Sequence, residues 1–304
     1  MKIAVIPLLT LFPFGGVSAF ENQDRDAPSF RARVELVNIL CSVTAGDQGF
    51  VEGLEKGDFE VFEDGVPQEI EHFSFQGGED AQPLNVVLAL DTSGSVVDML
   101  GFQKQAASLF LEEVMRPEKD MAAVVQFDSE INLVQDFTYD VAILDRAIES
   151  IRAGGATKLY DAVWVSVEDL LGREVGRRIL VILSDGDDTQ SQMARKEAID
   201  VAQKNDVVIF GIGVRGQRGR ADFGALRQFA RETGGLFLNS RDRLSELKEA
   251  FDRINNAIKS QYSIGYVPKN GLRDGSFREI EVKVNRRGLK VYHREGYYAP
   301  TDAR

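Results

Sequence analysis

The chain has 304 residues, 43% of them hydrophobic, enough to bury one large core and a second, smaller one. A formal net charge of −12 argues against nucleic acid and anionic membrane surfaces as partners, and is compatible with binding a divalent cation. The single cysteine, Cys41, excludes an intramolecular disulfide, and its strand parity with Val37, Ile39 and Val43 reads as a buried, inert thiol.

The first 19 residues read as a secretory signal. Lys2 is the charged start, Ile3 to Phe14 the apolar run, and Val17-Ser18-Ala19 the small-residue cleavage site. The run is short for a membrane span of about 20 residues, and no later stretch is apolar enough to cross. The expectation is an extracytoplasmic chain, periplasmic or secreted, with no integral membrane segment after cleavage. Residues 20–28 form a polar linker. A β-rich flank spans 29–77: Phe30, Ala32, Val34 and Leu36 alternate with polar neighbours, then the apolar parity shifts to Val37. Asp64-Gly65 between two strand-like runs predicts a hairpin, and the stretch from Gly77 to Pro83 reads as a hinge. His72 and His293, the only histidines, sit in strand-like segments and read as surface or packing residues.

From Leu84 strands alternate with helices. Strands are predicted at 84–90, 121–127, 131–137, 178–184, 206–213 and 235–239. Helices are predicted at 100–115, 140–151, 159–171, 191–204, 222–232 and 242–258. The runs 84–90 and 178–184 are almost continuously apolar, as in strands covered on both faces. The 121–127/131–137 pair reads as a hairpin that leaves one antiparallel edge strand. Residues 84–259 are therefore predicted to form a doubly wound, mostly parallel α/β domain. β pattern returns over 260–304, with Ile280, Val282 and Val284 alternating with charged residues. Neither β-rich flank is large enough to bury a strong core alone. The expected fold class is thus an α/β domain inserted into a β-sandwich built from both flanks.

Three polar loops lie within the α/β region. Asp91-Thr92-Ser93-Gly94-Ser95 follows the first strand, Gly154-Gly155-Ala156-Thr157 precedes a helix, and Ser184-Asp185-Gly186-Asp187-Asp188 ends the fourth strand. In a 3-2-1-4-5-6 strand order the first and fourth strands adjoin, so their loops converge at the topological switch point. Hydroxyls and carboxylates without His or Cys make a hard-cation ligand set, suited to Mg²⁺ or Mn²⁺. Any one loop could simply cap the following helix; three converging loops favour a metal.

The Asp91-x-Ser93-x-Ser95 element, with Thr157 and Asp185, resembles the metal-ion-dependent adhesion site (MIDAS) of von Willebrand factor type A (VWA) domains over roughly 84–259. The flanks, Asp58 to Gln68 and Arg294 to Tyr298, are similar to those of exported bacterial VWA-related proteins. The resemblance implies that Ser93, Ser95 and Thr157 contact the metal directly. Asp91 and Asp185 would act mainly through bound waters or by fixing the hydroxyls. The remaining coordination position would accept an Asp or Glu of a protein partner.

Other motifs carry less. Gly211-x-Gly213-x-x-Gly216 follows a strand but does not open a helix, which argues against a dinucleotide fingerprint. The run from Asp185 to Thr189 lacks the twelve-residue calcium-loop pattern. Trp164 and Tyr160 read as packing residues, and Arg215 to Arg220 as a solvated loop. There is no Gly-x-Ser-x-Gly, no His-Glu-x-x-His and no histidine in the constellation. The expectation is a binding module for adhesion or assembly, not an enzyme, with no small-molecule substrate. A structural scaffold without metal-bridged binding is the alternative, and a metal-dependent hydrolase a more distant one.

Overall fold

A computed structural model of the protein describes residues 36–46, 49–216, 221–240 and 243–301, all within one unit spanning 35–304. The expected signal (1–19), the linker (20–28) and the alternation over 29–35 lie outside the described residues. The first strands are β1 (Val37–Thr44), β2 (Phe59–Glu63), β3 (Val66–Gln68) and β4 (Ile70–Phe75). There follow β5 (Leu84–Asp91), α1 (Leu100–Val114), β6 (Met121–Phe127), β7 (Ile131–Thr138), α2 (Val141–Ser150) and α3 (Leu159–Val165). Next come β8 (Arg177–Ser184), α4 (Arg195–Lys204), β9 (Val207–Val214), α5 (Gly224–Thr233), β10 (Phe237–Ser240) and α6 (Leu244–Lys259). The chain ends in β11 (Gln261–Tyr266), β12 (Phe277–Val284), β13 (Lys290–Tyr292) and β14 (Gly296–Tyr298).

All eight residues of β5 and all eight of β9 are buried, as expected for strands sandwiched between helices. The six-stranded sheet has the order β10-β9-β8-β5-β6-β7, parallel except for the β6–β7 hairpin at one edge. Alternate side chains of β5 enter different cores. Val86, Leu88 and Leu90 pack with α1, α2 and α6, while Val87 and Ala89 pack with α3, α4 and α5. Local chemistry sets the helix ends. Asp140 accepts from the backbone N–H groups of Ala142 and Ile143 to start α2, and Gly234 at φ +84° stops α5. Among the described residues, no helix is long and apolar enough to cross a membrane.

Two four-stranded antiparallel sheets, β13-β1-β11-β4 and β14-β12-β2-β3, combine strands from before and after the α/β region. Their shared core includes Ile39, Cys41, Val61, Tyr262, Ile264 and Val282. Burial pushes the Cys41 thiol up to about 12, which leaves it protonated and inert. Asp64 and Gly65, both at positive φ, close the predicted β2–β3 hairpin. His72 is exposed beside Ser74, whereas His293 donates from Nδ1 to the Arg294 carbonyl and accepts from the Val282 N–H. Both are packing or surface residues.

Three local expectations need revision. The helix predicted over 159–171 stops at Val165 and continues as a π turn over Ser166–Leu170 and a 3₁₀ turn over Leu171–Arg173. The helix predicted from 191 begins at Arg195, because the Asp161 carboxylate takes the N–H groups of Gln192 and Met193. The stretch read as a hinge is tied down. Arg116 donates to the Ala81 and Gln82 carbonyls, and Gln82 N donates to Gln76 Oε1.

One buried polar cluster joins the two antiparallel sheets. Glu63 in β2 accepts from Tyr266 of β11 (2.7 Å), Tyr297 of β14 (3.0 Å) and Arg278 of β12 (3.1 Å). Glu63 and Arg278 are only 1% and 2% exposed as side chains. Removing the carboxylate would strand a buried guanidinium and two phenol hydroxyls. Glu63→Ala is therefore expected to cost about 3–5 kcal/mol of stability in urea denaturation. A loss below about 1 kcal/mol would mean that the cluster does not brace the sheets.

Candidate metal centre

β5 and β8 lie side by side in parallel, with Leu90 opposite Leu183, so Asp91 and Ser184 emerge together at the carboxyl end of the sheet. Asp91 is fully buried. Its Oδ1 accepts from Ser93 N at 2.9 Å, which bends the chain out of the strand. Its Oδ2 accepts from Ser184 Oγ at 2.6 Å, and that same Oγ accepts from Gly186 N at 3.0 Å. The turn brings Ser93 Oγ and Ser95 Oγ to 3.0 Å from one another.

The second loop is bonded to the first and the third. Gly94 N donates to the Gly155 carbonyl (3.1 Å) and Gly154 N to the Thr92 carbonyl (2.8 Å). Thr157 N donates to Thr189 Oγ1 at 3.0 Å, and the Thr157 carbonyl accepts from Thr189 N and Gln190 N. Thr157 is only 3% exposed, because these bonds draw it down between its neighbours. In the third loop, Asp185 Oδ1 accepts from Asp187 N at 3.2 Å. Its Oδ2 is buried without a hydrogen-bond partner.

The electrostatics fit a cation. Burial raises the Asp91 carboxyl to about 6; hydrogen bonds from Ser184 and Ser93 oppose the rise, and the charge of Asp185 adds to it. Burial and the charges of Asp185 and Asp222 also push Asp187 up. Two buried carboxylates, one orphaned oxygen and a pair of touching hydroxyls are what a hard divalent ion would satisfy. Among the described residues, no group of three or more His, Cys, Asp or Glu side chains could hold a metal. The donors gathered here are instead mostly neutral hydroxyls, with two carboxylates.

Ser184 and Thr189 are contributors that sequence reasoning missed, and only their position beside Asp185 hinted at them. Gly216 is a third: a Cβ there would lie 1.8 Å from the Ser95 carbonyl oxygen, so only glycine lets this loop approach. A Cβ at Gly213 would lie 2.7 Å from the Phe223 ring, so these glycines serve close packing. Tyr160 packs edge-on to Phe229 and accepts from Arg195, and Trp164 packs against the same core. Arg215 is exposed, and residues 217–220 lie outside the described residues.

The family model for the von Willebrand factor type A domain matches residues 85–253, more than half of the chain. No curated protein matches the chain. Among solved structures, a von Willebrand factor type A protein from Catenulispora acidiphila is 14% identical, covering 80% of this chain and 74% of that one at a TM-score of 0.52. The vWF domain of the type V pili tip protein Mfa5 from Porphyromonas gingivalis is 15% identical, covering 58% and 95% at 0.51. Proximal thread matrix protein 1 from the mussel byssus, with a zinc-occupied MIDAS motif, is 16% identical, covering 64% and 50% at 0.52. At such identities the likeness is one of fold.

The raised Asp91 carboxyl has a consequence for metal-free protein. Its folded pKa lies above the unfolded value near 3.9, so the folded state holds the proton more tightly. The stability this contributes is present below about pH 4 and lost as pH rises through about 6. In EDTA, the stability of the wild type relative to Asp91→Asn should fall across that window, by on the order of 1.4 kcal/mol for each pH step of one that it spans. A pH-independent difference in urea denaturation would show that Asp91 does not hold its proton.

Proposed function

Since the chain belongs to the von Willebrand factor type A family, we propose that it is an exported protein-binding module that captures an acidic side chain of a partner through Mg²⁺ or Mn²⁺. In this reading residues 1–19 are removed, 84–259 carry the binding face, and 29–77 with 260–304 form the supporting sandwich. The carrying observation is the buried, unpartnered Asp185 Oδ2, on a carboxylate whose charge acts on Asp91 at the base of the turn that pairs the Ser93 and Ser95 hydroxyls.

Ser93, Ser95 and Thr157 would hold the ion through neutral oxygens. Asp91 fixes the first loop by accepting from Ser93 N, and its bond from Ser184 leaves it poorly placed to act as a general base. Asp185 would take a metal-bound water on its free oxygen. When bound, the cation supplies an electron-poor coordination position that a carboxylate fills. A hydroxyl-rich, carboxylate-poor site suits recognition better than generation of a nucleophilic hydroxide, which favours a binding module over a hydrolase. The similar folds of a pilus tip protein and a byssal thread protein support an adhesion or assembly role, and the zinc in the latter's MIDAS supports divalent-cation binding.

Thr157→Val keeps the shape of the side chain and the backbone bonds that hold the loop, and removes only the hydroxyl. Its Mg²⁺ affinity by calorimetry is expected to fall tenfold or more with no change in melting temperature. Undiminished affinity would remove Thr157 from the ligand set. Partner capture, in turn, should vanish in EDTA yet fall only partly in moderate salt, because a direct metal–carboxylate bond is poorly screened. Capture that survives chelation would refute the metal bridge.

A further inference from the structure

Thr92 lies between Asp91 and Ser93 in the first loop, is fully buried, and has each of its polar groups bonded. Its carbonyl accepts from Gly154 N of the second loop at 2.8 Å, and its N–H donates to the Phe127 carbonyl at 2.9 Å. Its hydroxyl donates to Asp128 Oδ2 at 3.0 Å, with the Phe127 carbonyl a longer alternative at 3.3 Å. β6 adjoins β5 on the side away from β8, and Phe127 stands opposite Asp91. Half-buried Asp128 thus opens the β6–β7 turn at the level of the metal face.

That turn has its own bracing. Asp128 Oδ1 accepts from Glu130 N (3.0 Å) and Ser129 Oγ (3.1 Å), and Asp128 N donates to the Glu130 carbonyl (2.9 Å). A side chain bonded to the backbone two residues on fixes a tight turn. The same turn presses on the second loop. A Cβ at Gly155, which holds φ +89°, would lie 2.7 Å from Ser129 Oγ and 3.1 Å from Asp128 Oδ1. Asp128 therefore meets the first loop through Thr92 and the second at Gly155, two residues before Thr157. Closing the hairpin engages Oδ1 alone; Oδ2 is free of that task and goes to Thr92.

We propose that Asp128 is a positioning residue of the metal centre, which through Thr92 keeps the Ser93–Ser95 turn and the Thr157 loop in register. It does not touch the ion. This role rests on the reading of Ser93, Ser95 and Thr157 as metal ligands. Loops held at a fixed spacing lose little freedom when an ion joins them. Altering residues that orient ligands from behind costs roughly 10–100-fold in metal affinity.

The test is calorimetric titration of the metal-free full chain with Mg²⁺, well below its melting temperature, which is measured separately in EDTA. Asp128→Ala and Thr92→Val delete the same hydrogen bond from its two sides. Each should weaken Mg²⁺ about tenfold or more, and the double variant should be little worse than either. Asp128→Asn should recover most of the loss, since Thr92 Oγ1 can accept from the amide while donating to the Phe127 carbonyl. Should Asp128→Ala fail to fold, Thr92→Val, which leaves the turn intact, still decides. A lower melting temperature with unchanged Mg²⁺ affinity would mean that Asp128 merely closes the hairpin. Asp128→Asn as weak as Asp128→Ala would mean that its charge acts on the ion, not its hydrogen bond. Either result overturns the positioning role and leaves the metal centre standing. No saturable Mg²⁺ binding by the wild type would instead refute the metal reading, and this role with it.

Discussion

The parallel pairing of β5 with β8 is the constraint on which the rest of the structure depends. From β5 the chain goes next to β6 on one side, and from β8 to β9 on the other, so the two loops part above the sheet and leave a crevice. Register does the remaining work. With Leu90 opposite Leu183, Asp91 and Ser184 reach the sheet end at one level, and a 2.6 Å hydrogen bond closes between them. A slip of β8 by one residue would turn Ser184 to the other face of the sheet, away from Asp91.

That bond gives Asp91 a structural task besides any role toward a cation. One carboxylate oxygen shapes the Ser93 turn and the other holds the end of β8, so the hydroxyls would already be ordered for an incoming ion. Preorganisation of this kind lowers the cost of binding, because loops already tied to one another have little freedom left to lose. The Thr92–Gly154, Gly94–Gly155 and Thr157–Thr189 bonds extend the same logic to the other two loops. The unpaired Asp185 oxygen is the exception. In a neighbourhood so extensively bonded, a single orphaned acceptor is a more specific feature than the acidic residues counted together.

Much of this was legible in the sequence because it rests on local pattern. Continuous apolar runs announced β5 and β8, helical apolar periodicity announced α1 and α6, and Asp64-Gly65 announced its hairpin. The Asp-x-Ser-x-Ser loop was visible because its residues are neighbours in the chain. What stayed hidden depends on contacts between distant residues. Ser184 bonds Asp91 across 93 positions, and Thr189 bonds Thr157 across 32. Neither partner is distinguishable from an ordinary loop hydroxyl until the strands are placed. The end of α3 escaped for another reason: the residues after Val165 keep a helical pattern, and only tertiary packing turns them into a π turn. Arg177 is equally silent, since burial of a guanidinium among neutral acceptors is a property of the packed layers alone.

The two ends of the sheet differ in charge. The carboxyl ends of the strands gather Asp91, Asp185 and Asp187, whereas their amino ends mix Arg177 and Arg178 with Asp120 and Asp206. Both crossings between the α/β layer and the sandwich occur at the second end, where Asp120 holds Leu84 N, and Arg177 holds the Pro83 and Ile258 carbonyls. The α6 helix passes through Ser260 straight into β11, with its last turn gripped by a buried cation. A displacement of α6 would break the Arg177–Ile258 bond and leave that buried guanidinium with fewer acceptors, so the bond resists motion there. The rigidity that holds Ser184 against Asp91 is built on strands whose far ends are fixed to the sandwich.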